Sequence, residues 1–556
     1  MFNTAAKFCL VMAASSIQNF SYLDYLNNSD IEDNDDNSDN SCDSEEETGD
    51  IEEESETISE NGWHLVTRET DIPPEFKQFY GISGPTSVES LDGHTELDYG
   101  NMCLTDGLMH MLAYFTNVRA HQCSDSFREV TLPEMRKFLA LTLLMGIVKK
   151  PRIRDYWSTN PLLEMPIFAS ENSLSRDRYF EILRFIRFGD YSQEFDLLND
   201  PLAKMRPFID EVQHICKSSY LPYQDISIDE TLLLFKGRLV FRQYLPSKRS
   251  RYGIKTFALC DSKNGYFWNF ITYVTASKMD FCIPHAITDP LSMTEKLVVH
   301  LSSPLFGLNY HLTTDNYFTS LRVAQILYQN GMSFSGTWRS NRGVPTTLQK
   351  KTQAANSSMF MRKNEVLAVK WTEKKSSAKK DIFLIDTKGC ASTERVLRRK
   401  KGGAAEEVFK PTTVLRYNKN MGGVDRSDST CERYDPTRKS LNWMVKYGIH
   451  LIHRLLINSH VIYTESGGEL TLLDFTLKYV EQTLKSTGSG RRSLAKRVRT
   501  KGHQPVVIPP TAKKNKPTRK CRLCSKNNHR KESRYMCPDC PSSPALCVTC
   551  FSEFHR

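Results

Sequence analysis

Ile226-Ser227-Ile228-Asp229-Glu230-Thr231-Leu232-Leu233-Leu234-Phe235 is an apolar, strand-like run with a carboxylate set inside it. An ionised acid in a buried strand is costly unless it is paired or holds a metal, so Asp229 stands out at once. Two further strand-like runs, 252–260 and 266–274, flank Asp261-Ser262-Lys263-Asn264-Gly265, and that short Asn-Gly loop predicts a hairpin. A helix is expected near 295–301 and a short strand at 310–314 ending in Asp315-Asn316. Another helix over 320–329 is stopped by Asn330-Gly331. Strand, hairpin, helix, strand, helix describes a mixed α/β sheet with acids at strand ends.

The chain changes character on both sides of this unit. Residues 63–222 read as mostly helical. Thr131-Leu132-Pro133-Glu134 makes a capping box with Pro in the first turn of a buried helix over 135–145. A second helix fits 176–188. Its arginines, with Lys149 and Lys150, are candidates to face phosphates, although solvated helix surface is the commoner role for such residues. After the α/β unit, 339–408 turns polar and basic, is strand-like only at 366–371 and 381–386, and reads as an insertion. Long amphipathic helices then fit 442–462 and 470–484.

Charge is distributed unevenly. Residues 30–56 hold 15 acids and no base, and residues 1–64 hold 17 acids and the single base Lys7. The rest of the chain carries 73 Lys and Arg against 48 Asp and Glu, a net of +25, which points to a polyanionic partner, nucleic acid above all. The acidic tail reads as disordered, either shielding the basic surface or simply solubilising the chain. No run of 18 or more uncharged apolar residues occurs, so no membrane span is expected. The N-terminal Phe8-Cys9-Leu10-Val11-Met12 has one preceding Lys and an acidic tract soon after, and is not read as a secretion signal.

Between the insertion and the last helices comes Gly422-Gly423-Val424-Asp425-Arg426-Ser427-Asp428. If a helix begins at Val424, Asp425 and Asp428 share a face. Two close carboxylates repel unless a cation lies between them, and Mg²⁺ takes such oxygens; an acidic first turn is also ordinary helix chemistry. Asp229, Asp315 and Asp425 are far apart in sequence, so only tertiary folding assembles them into the kind of site that two-metal phosphoryl transfer needs. Asp225 begins its strand and reads as structural, and Asp261 reads as turn chemistry.

The C-terminus reads Cys521-x2-Cys524-x12-Cys537-x2-Cys540-x6-Cys547-x2-Cys550-x4-His555, with His529 in the first gap. Three CxxC pairs with flanking histidines are a strong zinc signal. Six Cys, His529 and His555 supply eight ligands, enough for two Zn²⁺. Cys521 and Cys524 can share a metal with either later pair, and His529 is equally readable as a surface histidine. The nine other cysteines are scattered, as reduced intracellular thiols are.

Ser227-Ile228-Asp229-Glu230, Tyr244-Leu245-Pro246-Ser247-Lys248, Tyr252-Gly253-Ile254-Lys255, Thr314-Asp315-Asn316-Tyr317-Phe318-Thr319-Ser320, the Gly422-Gly423-Val424-Asp425 segment and the region of Trp443 together resemble the piggyBac transposase family, in order and over most of the chain. The resemblance implies an RNase H-like catalytic core of the DDE type, with Asp229, Asp315 and Asp425 as the catalytic triad and Asp428 as a fourth acid. It implies Mg²⁺ and a homodimer acting on double-stranded DNA, with terminal inverted repeats cut through hairpin ends and TTAA targets, in the nucleus. The expected division is an acidic tail (1–62), a helical dimerisation and DNA-binding domain (63–222 and 431–490), the catalytic domain (223–338 and 409–430) around an insertion (339–408), a basic linker (491–520) and a cysteine-rich cross-brace zinc domain (521–556). His555 fits the family pattern better than His529. All four acids are present, which favours an active transposase over a DNA-binding derivative without turnover.

Overall fold

The computed structural model describes residues 59–75, 78–79, 81–86, 93–124, 126–189, 199–246, 251–375, 378–399, 405–486, 505–512 and 514–555. The acidic tract at 30–56 and the most basic part of the linker, 491–504, lie outside them.

The described chain opens with the two-residue strand Ser59–Glu60, which pairs with strand β1 (Trp63–Val66), followed by helices α1 (Glu96–Cys103), α2 (Asp106–Cys123), α3 (Leu132–Ile147), α4 (Arg176–Phe185) and α5 (Arg206–Ser219). Helix α3 starts as expected: Thr131 and Glu134 complete a capping box. Glu134 also accepts from Arg178 Nε and Nη2, both at 3.1 Å. The phosphate-facing role open to the arginines of α4 is thereby corrected for Arg178, which is 7% exposed and paired inside the helical body. Lys150 is likewise buried and donates to the carbonyl of Asp155.

Next come β2 (Asp225–Leu234), β3 (Tyr252–Asp261), β4 (Phe267–Thr272), α6 (Met293–Ser302), β5 (His311–Thr314), α7 (Leu321–Gln329) and β6 (Ser333–Trp338). The turn between β3 and β4 uses Gly265 at φ +76°, a conformation that favours glycine. Strands β7 (Ser357–Lys363), β8 (Val366–Lys375) and β9 (Ala378–Asp386) follow, then a separate hairpin of β10 (Thr393–Arg399) and β11 (Ala405–Pro411). The chain continues as α8 (Thr412–Asn420), α9 (Gly423–Arg433), α10 (Trp443–Glu465) and α11 (Leu472–Ser486).

One large mixed sheet runs β1-β7-β8-β9-β6-β5-β2-β3, with β4 also on β3. Strand β5 is parallel to both β2 and β6, and the other pairs of this path are antiparallel. Two sequence expectations change here. Trp63–Val66 is a strand, not part of the helical region, and pairs with β7. The segment at 339–408 reads locally as an insertion, yet β7–β9 hydrogen-bond onto β6 and extend the same sheet. Such pairings join residues distant in sequence, which local composition does not reveal.

Helix α10 is apolar almost all round, burying Tyr447, Leu451, Leu455 and Ile462, so it needs partners on several sides. It packs against α1, α5 and α11, and α11 packs on α1 and α3. Gln482 accepts from the Leu97 amide at 2.8 Å and Lys478 pairs with Glu96 at 3.0 Å. Helices on both sides of the sheet region in sequence therefore make one body. Among the described residues, no helix is long and apolar enough to cross a membrane.

Candidate active site and metal centre

Strands β2 and β5 run side by side in parallel, with Ile226 opposite Leu312, Ser227 opposite Thr313 and Ile228 opposite Thr314. The next residue on each is an aspartate, Asp229 and Asp315. Neighbouring strands lie about 4.8 Å apart, so two carboxylates 86 positions apart in sequence arrive on adjacent rungs.

Helix α9 brings the third. Ser227, Asp229 and Thr231 line one face of β2, because side chains two apart on a strand point the same way. The helix crosses that face. At its start Gly423 packs so closely that a Cβ there would collide with Ser227 Oγ and lie 3.0 Å from the Asp261 carbonyl oxygen, so glycine is required. Five residues later Thr231 Oγ1 donates to Asp428 Oδ1 at 2.7 Å. Asp425 lies between those two contacts along the helix, as Asp229 lies between Ser227 and Thr231 along the strand. Asp425 is exposed, while Asp229 and Asp315 are half-buried.

The electrostatics are those of crowded acids. Burial raises the pKa of the Asp315 carboxyl, the Glu230 charge raises it further, and the Tyr317 and Phe318 amides offset part of this. Burial likewise raises the Tyr417 phenol, with Asp315 and Asp229 adding to the rise. Asp428 is engaged differently, since its Oδ1 also accepts from Arg454. Among the described residues, three or more metal-ligand atoms lie within 4.8 Å of one another only in two groups at the C-terminus. The four aspartates thus share a neighbourhood without closing on one point. Two half-buried carboxylates on neighbouring strands, beside an exposed third, are the donor chemistry that suits a hard divalent cation.

Several residues of this neighbourhood carry no local sequence signal beyond residue type. Glu230 follows Asp229 directly. Arg339 Nε donates to Asn316 Oδ1 at 3.0 Å and Arg342 Nη1 to the Tyr317 carbonyl at 2.7 Å, so two arginines grip the turn that carries Asp315. Asp225 lies at the other end of β2, opposite His311. Asp261 accepts from the amides of Tyr223 and Lys263, both at 2.7 Å, which is turn chemistry as expected.

The C-terminal module resolves the open pairing. Cys521 and Cys524 group with Cys547 and Cys550, while Cys537 and Cys540 group with His555. The pairs interleave, which is a cross-brace. His529 is exposed and outside both groups: four sulfurs complete the first set, and the second brings together three ligand atoms. The backbone N–H groups of Cys524 and Cys547 outweigh burial and pull the Cys521 thiol down to about 7, whereas burial pushes Cys524 up to about 11. Four thiols whose sulfur atoms all lie within 4.8 Å of one another fit the tetrahedral sulfur set of a structural zinc. In the second group His555 Nδ1 donates to the Phe551 carbonyl at 2.6 Å, leaving Nε2 toward Cys540 at 3.2 Å. The module rests on the helical body, where Arg534 meets Glu129 at 2.5 Å and the Tyr535 ring meets Tyr114 edge-on at 5.3 Å.

Comparisons with known proteins bear on the family, the fold and the C-terminal module. A family model described as Transposase IS4 matches residues 97–460, and one described as a DDE_Tnp_1-like zinc finger matches 502–556. Human PiggyBac transposable element-derived protein 2 is 24% identical over 506 residues, 87% of this chain and 80% of its own length. Human PiggyBac transposable element-derived protein 3 is 24% identical over 478 residues, 81% of this chain and 74% of its own. The fold matches a cryo-EM structure of the piggyBac transposase synaptic complex with hairpin DNA, with a TM-score of 0.60 and 24% identity over 84% of this chain and 98% of that one. With a transposase model spanning well over half of its length and a zinc finger at its end, the chain belongs to the piggyBac transposase family.

Proposed function

We propose that the protein is a DNA transposase that cuts double-stranded DNA at the terminal inverted repeats of its element, forms hairpin ends and joins the element to TTAA targets. The observation that carries this reading is the position of Asp229 and Asp315 on adjacent rungs, with α9 delivering Asp425 across the same face. In this reading the sheet around β2–β6 is an RNase H-like core: an antiparallel trio, β2-β3-β4, continued on its other side by parallel β5 and β6. The helices of residues 63–222 and 431–490 form one dimerisation and DNA-binding domain, for which the packing of α10 and α11 on α1, α3 and α5 is the support. The zinc module and the basic surfaces hold DNA, and the protein works as a nuclear homodimer.

Asp229, Asp315 and Asp425 would hold Mg²⁺, which when bound activates the attacking oxygen and stabilises the leaving one. The chain's own part is to fix those carboxylates on rigid strands and a tightly packed helix, and to place Arg339 and Arg342 beside Asp315. Uncoordinated, the acids repel one another and any phosphate, so DNA and cation are expected to bind together.

The names of the human relatives, "transposable element-derived", favour a second reading, a DNA-binding protein without turnover. An excision assay separates the two. The protein is supplied with an element flanked by TTAA and its own terminal repeats, and precise excision with rejoined TTAA is expected. Tight binding to those repeats with no excision would establish the second reading.

A further inference from the structure

A guanidinium in the middle of a buried helix needs a reason, since arginines are almost never fully buried unless paired. Arg454 of α10 is 2% exposed and reaches three other elements. Its Nη1 donates to Ser427 Oγ at 2.7 Å on α9, and its Nη2 donates to Thr231 Oγ1 at 3.1 Å on β2 and to Asp428 Oδ1 on α9. The guanidinium also lies over the Phe267 ring of β4, 4.9 Å from its centroid. Thr231 Oγ1 closes the network by donating to Asp428.

We infer that Asp428 is the counter-ion of Arg454 and not a metal ligand, and that Arg454 is a positioning residue that fastens the helix carrying Asp425 to the strand carrying Asp229. The inference rests on the proposed function for what the site does. Its physical basis is the imbalance of a broken buried pair. A buried guanidinium stripped of its anion is strongly destabilising, whereas removing both partners leaves no unpaired charge. A carboxylate already held by a fixed cation is also a poor ligand for a second cation, because the guanidinium charge opposes it at short range. Asp425, three residues earlier on the same helix, is exposed. A planar fork that bonds two elements at once fixes orientation as well as distance, which a lysine ammonium does not.

The test uses full-length, zinc-loaded protein with Asp428→Asn, Arg454→Met, the two combined, Arg454→Lys, and Asp425→Asn for comparison. Three quantities are read: melting temperature, Mn²⁺ binding by electron paramagnetic resonance, and the cleavage rate on terminal-repeat DNA. Each neutralising single variant is expected to melt lower than wild type, and the double variant to recover at least about half of the summed loss, because partners in one network are not additive. Asp428→Asn is expected to bind Mn²⁺ within about threefold of wild type, whereas Asp425→Asn weakens it about tenfold or more. Arg454→Lys keeps the charge without the fork, so it is expected to fold and bind Mn²⁺ while kcat falls and KM holds. Asp428→Asn losing Mn²⁺ as severely as Asp425→Asn would overturn the inference, as would a double variant whose loss equals the sum of the singles. A wild type that cleaves no DNA sinks the proposed function instead, while melting and Mn²⁺ binding still decide the Arg454 pairing.

Discussion

Removing zinc from the full-length protein is expected to unfold residues 521–555 while the sheet and the helical body stay folded. The module's buried cluster consists of Cys521, Cys537, Leu546, Cys547, Cys550 and Phe551, with Leu523 and Phe554 packed at its edge. Half of those eight are metal-ligand cysteines. Four apolar side chains supply on the order of 1.5–3 kcal/mol each when fully buried, which falls well short of the roughly 1–2 kcal/mol per residue lost in ordering such a segment. Its helices are also short, Arg522–Lys526 and Val548–Phe554, too short to hold themselves together. The metal supplies the difference, because a set of ligands absent from the unfolded chain turns binding energy into folding energy. Hydrogen exchange is the measurement. With chelator, amides such as those of Cys537 and Leu546, which bond within the module to Pro544 and Tyr535, should exchange at unfolded rates while those of β2 and β5 keep their protection. Protection that survives chelation in the C-terminal module would refute its dependence on zinc.

Asp315→Asn is expected to abolish cleavage and leave the fold at least as stable. The asparagine keeps the shape and the hydrogen bond that Asp315 Oδ1 accepts from the Tyr317 amide at 3.0 Å. What it removes is the charge. Burial and the Glu230 charge raise the Asp315 pKa in the folded state, so its ionised form is disfavoured there. A group raised in this way adds its full stability below its unfolded pKa and loses that contribution as pH rises through its folded pKa, so at neutral pH its charge costs stability and neutralisation relieves it. Cleavage moves the other way. Losing one carboxylate of a metal site removes several kcal/mol of charge stabilisation, and at ~1.4 kcal/mol per decade that is about a thousandfold or more in rate. The combination, a melting temperature equal to or above wild type with cleavage down by about three decades, identifies a functional charge. Retained cleavage, or a large fall in melting temperature, would assign Asp315 to structure instead.

Much of this arrangement is legible in the sequence, and the limits are physical. Local signals carried the individual elements: the Asn-Gly turn placed the β3–β4 hairpin, Thr131 and Glu134 placed the start of α3, and Ser320 and Asn330 bracketed α7. An aspartate inside an apolar strand marked Asp229, and CxxC spacing marked the zinc ligands. The family resemblance ordered the acids. Long-range pairing was not legible. Nothing near Trp63 announces that it joins the sheet beside β7, and the polar 339–408 segment gives no local sign that its strands continue β6. The adjacent rungs of Asp229 and Asp315 depend on a parallel register that only the folded chain sets. Cysteine spacing allowed two pairings of Cys521 and Cys524, and the folded chain brings them to Cys547 and Cys550. Arg454 looks like one charge in an apolar helix until Asp428 and Thr231 are brought against it.

The central claim is that Asp229 and Asp315, brought together by the parallel register, hold the divalent cation. Its most direct test is Mn²⁺ titration of the zinc-loaded protein by electron paramagnetic resonance, comparing wild type with Asp229→Asn and Asp315→Asn. Saturable binding in wild type that is lost in both variants, each still folded, is the predicted result. Undiminished Mn²⁺ binding in either variant would contradict it.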